Sequence, residues 1–175
     1  MPSDTNWVTL LATNDRRGGV AAARRQPPGE LVWKAALGDS IRSSPVLRDG
    51  VLYVACRDGR LYAFDAANGR ERWRSALGDS AVDRAVQADV LDDGSAVVVG
   101  YSRARGLAND APVWTTRLHG AGADGRPTWS LPLGGPGRES GRWIARHGDE
   151  LWVVGQEAAA DSGSRVFVAR VAVPR

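Results

Sequence analysis

The 175-residue chain is 43% hydrophobic and 25% charged, with 21 glycines and 9 prolines scattered along it and a formal charge of +3. Such a composition buries one sizeable core and puts turns at regular intervals, so a single all-β domain or arc over 1–175, made of many short strands, is expected. The one cysteine, Cys56, excludes an intramolecular disulfide and a thiolate metal cluster, no apolar run approaches a membrane span, and the N-terminus lacks the pattern of a signal peptide.

In chain order, four repeats are predicted at approximately 5–38, 41–78, 84–134 and 141–173. The first begins late, with WVTLLAT, VAAARRQ and LVWKAAL as its second, third and fourth strands. The second is complete: SSPVL, VLYVAC, RLYAFDA and ERWRSAL, separated by RDG, RDG and DAANG. Asp and Asn tolerate turn geometry and Gly takes positive φ at no steric cost, so each short linker can reverse a strand. The result is an antiparallel four-stranded meander.

Repeat three gives AVQADVL, SAVVVGY, PVWTTRL and PTWSLPL, with DDG and GADG as turns. Repeat four gives RWIARHG, ELWVVGQ and RVFVARV and no fourth strand. WKAALGDS at 33–40 returns as WRSALGDS at 73–80, a spacing suited to a propeller blade. VLYVA, AVVVG and LWVVG are apolar on both sides, as strands in a sheet covered on both faces must be.

A glycine followed after three intervening residues by tryptophan marks three of the four repeats: Gly29 with Trp33, Gly69 with Trp73, and Gly125 with Trp129. These are the predicted structural anchors of the blades. Each indole is expected to bury roughly 150 to 250 Å² between neighbouring sheets, with Trp73→Ala costing on the order of 3 to 5 kcal/mol.

The run SSPVLRDGVLYVACRDGRLYAFDAANGRERWRSAL resembles the quinoprotein-like, or PQQ-like, β-propeller repeat, whose pattern is SPV, DG, VYV, G, LYALDA, TG and W. The resemblance implies a β-propeller of four-stranded blades, incomplete at both ends. It also implies a periplasmic or extracellular binding or scaffolding module. PQQ-dependent dehydrogenases of this family carry adjacent cysteines, and with one cysteine here PQQ binding is not carried over; no cofactor is expected. The competing reading is a fragment of a quinoprotein-type dehydrogenase or carbohydrate-active propeller enzyme whose catalytic residues lie outside this chain.

The longest insertions, SRARGLANDA at 102–111, GGPGRES at 134–140 and EAAADSGS at 157–164, all fall on the face where second-to-third-strand and blade-to-blade connections emerge. Arg42, Arg57, Arg84, Arg103, Arg105, Asp110, Arg138 and Glu139 are the candidate partner-binding residues there. Positive and negative side chains nearly balance across this face, which disfavours nucleic acid despite a pI of about 9.6 and suits a protein or peptide ligand. Self-association completing a larger propeller is the other partner expected. No catalytic or metal set stands out: His119 and His147 lie in separate turns, no GxSxG is present, and Lys34 is followed by Ala, which excludes a phosphate-binding loop.

Overall fold

The computed structural model describes residues 31–77, 84–104, 113–133, 139–158 and 163–173, with the backbone alone at 103–104 and 113–115. Eleven strands are present among them and no helix. β1 (Val46–Arg48), β2 (Val51–Cys56), β3 (Arg60–Asp65) and β4 (Glu71–Ala76) form the first sheet, in sequence order. β5 (Arg84–Val90), β6 (Ala96–Ala104), β7 (Val113–Ala121) and β8 (Pro127–Leu133) form the second, also in order. β9 (Ser140–His147), β10 (Glu150–Ala158) and β11 (Ser164–Ala172) form a third sheet of three strands, every pairing being antiparallel.

The predicted meanders of repeats two, three and four are therefore present as blades. Their turns form for the expected reason: Asp49 and Gly50 both take positive φ, at 49° and 72°, which is what a two-residue reversal between β1 and β2 demands. The first repeat differs. Its predicted fourth strand, LVWKAAL, is in no ladder among the described residues, and the preceding predicted strands and Gly29 lie outside them.

Two apolar layers join the sheets. Val46, Val51, Tyr53, Ala55, Leu61 and Ala63 of the first sheet close on Ala85, Ala88, Val90, Ala96 and Val98 of the second. Val97, Val99 and Leu118 on the opposite side of the second sheet close on Ile144, Leu151 and Val153 of the third. β6 thus sends alternate valines to different neighbours, the physical basis of its uninterrupted apolar run. No described helix is long and apolar enough to cross a membrane.

The tryptophan anchors act between repeats, and with a shift of partner. Trp33 Nε1 donates to the Ala66 carbonyl at 2.9 Å, and its ring covers Gly69, where an added Cβ would come within 2.6 Å of ring carbon. Trp73 Nε1 donates to the Ala123 carbonyl at 2.9 Å and covers Gly125 in the same way. Trp33 and Trp73 thus reach forward to the glycine turn of the next repeat instead of the glycine preceding each in its own, whereas Trp129 lies against Gly120 of its own sheet. Trp33, Trp73 and Trp129 are half-buried, because the last strand of each blade is its outer edge. Their buried area is accordingly smaller than full enclosure would give.

Candidate functional site

The face carrying the second-to-third-strand connections is organised around the junction of the first two sheets. Arg57 N–H donates to the Ser40 carbonyl at 3.2 Å, and Ile41 bridges to Cys56, which folds the 38–42 segment against the end of β2. Arg84, opening β5, donates through Nη1 to the Arg57 carbonyl at 2.6 Å and to Asp39 Oδ2 at 3.0 Å. The Ser40 backbone N–H lowers the Asp39 carboxyl below its ordinary value, with Arg84 and Arg57 adding smaller electrostatic contributions.

Asp58 accepts from the Tyr62 hydroxyl at 2.5 Å and pairs with Arg60 at 3.4 Å. Burial, followed by that hydrogen bond to a carboxylate, raises the Tyr62 phenol above its usual range. At the corresponding end of the third sheet Arg142 Nη2 donates to Gln156 Oε1 at 3.4 Å, and Arg165 pairs with Glu157 at 3.6 Å. The result is a mixed rim of guanidinium and carboxylate groups.

The structure brings the Arg84 guanidinium to the Arg57 backbone carbonyl and leaves Arg42 exposed. Arg84 is engaged as a strut between sheets. Glu139 is 8% exposed, so its carboxylate lies within the blade and is not on the solvent-facing rim. Arg103 belongs to β6 and not to a loop: the β6–β7 ladder continues through Arg103↔Trp114 to Ala104↔Val113, extending the hairpin into the predicted insertion. Arg105, Asp110 and Arg138 lie outside the described residues.

The opposite face holds a cluster that sequence reasoning placed only as turn carboxylates. Asp92, between β5 and β6, receives Arg146 of β9 at 2.8 and 3.0 Å and Arg48 of β1 at 2.8 Å, while Arg48 also donates to the Val90 carbonyl. One carboxylate thereby joins all three sheets. Arg146, and then Arg48, hold its carboxyl far below the usual carboxylate range. Asp89 alongside is pushed upward by burial, which outweighs the nearby arginines. The 44- and 54-residue separations of Arg48 and Arg146 from Asp92 give no local sequence signal.

Next to this cluster a cavity of about 740 Å³ is lined by Asp92, Asp93, Trp129, Arg146, Asp149 and Val173, among others. No group of three or more potential metal ligands is found among the described residues. Cys56 is fully buried and its thiol is raised by that burial, the opposite of an activated nucleophile.

Comparison with known proteins agrees with this architecture. Residues 8–143 match the PQQ-like repeat family described as outer membrane protein assembly factor BamB. The chain is 30% identical over 112 residues to BamB of Burkholderia pseudomallei, covering 61% of this chain and 29% of that protein. It is 49% identical over 78 residues to the serine/threonine-protein kinase AfsK of Streptomyces coelicolor, covering 42% and 9% respectively. Among solved structures, a europium-containing methanol dehydrogenase superposes with a TM-score of 0.51 at 15% identity, over 65% of this chain and 25% of that one, a likeness of fold alone. The chain thus spans less than a third of the curated relatives named here.

Proposed function

The chain belongs to the PQQ-like β-propeller repeat family whose model is described as BamB, and from that premise we propose that it is a non-catalytic recognition module. In this reading it binds a protein or peptide on the face bearing the second-to-third-strand connections. The observation that supports it is the meeting of three segments at this rim, where Arg84 donates to the Arg57 carbonyl, Ile41 bridges to Cys56 and the neighbouring Arg42 is exposed. Guanidinium forks held on rigid strand ends suit the carboxylates and carbonyls of an extended peptide. The interspersed acids keep the net field small, as a protein interface requires and a nucleic-acid groove does not. BamB is by its name an assembly factor, which agrees in kind with a scaffolding role.

The test uses an array of carboxylate-rich peptides, followed by fluorescence anisotropy on the tightest binder. Arg42→Glu combined with Arg57→Glu should weaken its affinity by about tenfold or more, since each lost charge-assisted hydrogen bond is worth ~1.5 to 3 kcal/mol. Arg84 is left intact because it braces the sheets. Unchanged affinity in the double variant would place the binding surface elsewhere.

A further inference from the structure

Residues opposite one another in the ladders form rows across each sheet, and the rows match from one sheet to the next. In the first sheet one row runs Val46, Tyr53, Ala63, Trp73; in the second the same row runs Asp89, Val97, Gly120, Trp129. Both rows face the following sheet, and both end on the repeat tryptophan. The row that faces back begins with Val90 and Ala96 in the second sheet, and with Arg146 and Leu151 in the third. At the first seam Val46 and Val90, 8% and 2% exposed, pack in one apolar cluster. At the second seam the same two places hold Asp89 and Arg146. A pair of valines is exchanged for a carboxylate and a guanidinium.

Asp89 is half-buried there, and its Oδ1 accepts the Val90 backbone N–H at 2.8 Å. Charge reaches it from several elements. Arg146 of β9 and Arg48 of β1 both act on it electrostatically, and the Arg146 backbone N–H is turned toward it. β6 places Val97 beside it, while the first sheet packs on the opposite face of β5. His147 follows Arg146 and is exposed, and Asp149 in the next turn acts on Arg146 as Asp89 does. Arg84 and Arg142 lie toward the other ends of β5 and β9. The two guanidiniums nearest Asp89 are already committed: Asp92 takes Arg146 at 2.8 and 3.0 Å and Arg48 at 2.8 Å, and Asp49 takes Arg48 at 3.6 Å. Ionised Asp89 thus gives up hydration between the sheets with only shared cations to offset the loss, and burial raises its carboxyl above the ordinary value.

We propose that the seam between the second and third sheets is a proton-operated latch, shut most firmly when Asp89 is protonated and loosened when it ionises, while the seam between the first two sheets holds unchanged. A carboxyl with a higher pKa in the closed seam than in an open, hydrated one binds its proton more tightly when the seam is shut. Closure therefore weakens as pH rises through the closed-state value. In mild acid Asp89 is protonated and the Asp92 struts persist, because Arg146 and then Arg48 keep that carboxyl ionised far below this range. Val46 and Val90 contribute no titrating group, so the corresponding place in the first seam gives no such response. This inference stands apart from the rim proposed above, since it concerns how the sheets meet and holds whether or not a peptide binds.

Hydrogen exchange read by mass spectrometry on the full chain tests the latch, with protection in 140–147 compared with protection in 51–65 of the first sheet and both corrected for the intrinsic pH dependence of amide exchange. Between pH about 4.5 and about 7.5 the parent's protection of 140–147 should fall by about threefold or more, given that each unit separating the closed and open pKa values is worth about tenfold. Protection of 51–65 should hold steady. Asp89→Asn, and Asp89→Val, which copies Val46, should each keep the acid level of protection at both ends of the range. His147→Gln should leave the parent's response intact. A parent whose 140–147 protection ignores pH overturns the proposal, as does a response that survives in Asp89→Asn and Asp89→Val. A response lost with His147→Gln assigns the titration to the histidine and overturns it too, and an equal fall in 51–65 does the same by showing a loosening of the whole molecule.

Discussion

Substituting Gly125 with alanine isolates the lock that joins the first two sheets. Gly125 sits at φ +82°, where an L side chain is strained by about 1 to 2 kcal/mol, and its new Cβ would lie 2.6 Å from carbons of the Trp73 ring. The indole has to leave. Leaving forfeits its 2.9 Å hydrogen bond to Ala123, worth ~1 kcal/mol, and its edge contact with Tyr53 at 5.8 Å, worth ~1 kcal/mol. Half-burial of a ring of ~200 Å² adds about 2.5 kcal/mol at ~25 cal/mol per Å². Trp73→Ala should therefore cost about 4.5 kcal/mol. Gly125→Ala should approach that figure with its own backbone strain added. In the double variant the ring is already gone, and Gly125→Ala should contribute only the ~1 to 2 kcal/mol of strain, a coupling of several kcal/mol. Urea unfolding followed by circular dichroism measures all four corners of the cycle. Additive costs would refute the ring-on-glycine account.

Asp92→Asn should lower the unfolding midpoint modestly, since the carboxylate is exposed, and the effect should shrink with added salt. A carboxyl depressed in the folded state stabilises above its unfolded pKa and loses that contribution only as pH falls through the folded value. The difference between Asp92→Asn and the parent should therefore persist at neutral pH and vanish only in strong acid, as thermal melts across a pH series would reveal. Cys56, fully buried with a raised thiol pKa, should resist a thiol reagent in the native protein and react fully once guanidinium unfolds it; rapid native labelling, followed by absorbance, would contradict the packing around it.

The blades were legible because their signals are local. VLYVAC and PTWSLPL coincide with β2 and β8 residue for residue, and the Asp-Gly linkers turn where expected. The glycine and tryptophan spacing was visible too. Its partner shift was not, because spacing within one repeat contains no information about the next. Ser102, Arg103 and Ala104 read as loop because polar residues interrupt the apolar run, but the ladder with β7 carries the backbone onward regardless of that composition. At the candidate site, Glu139 resembled any surface acid in a glycine-rich linker until packing enclosed it. The Asp92 cluster was illegible for a different reason: its three members come from three sheets, and only assembly brings them within hydrogen-bonding distance.

The tryptophan lock spans 33 residues at one junction and 50 at the next, with the same 2.9 Å bond at both. Hairpins can therefore lengthen between the two halves of a clasp without moving the clasp. A lineage is free to rewrite its outward loops, and with them whatever the protein recognises, while the spacing of one blade from another stays put.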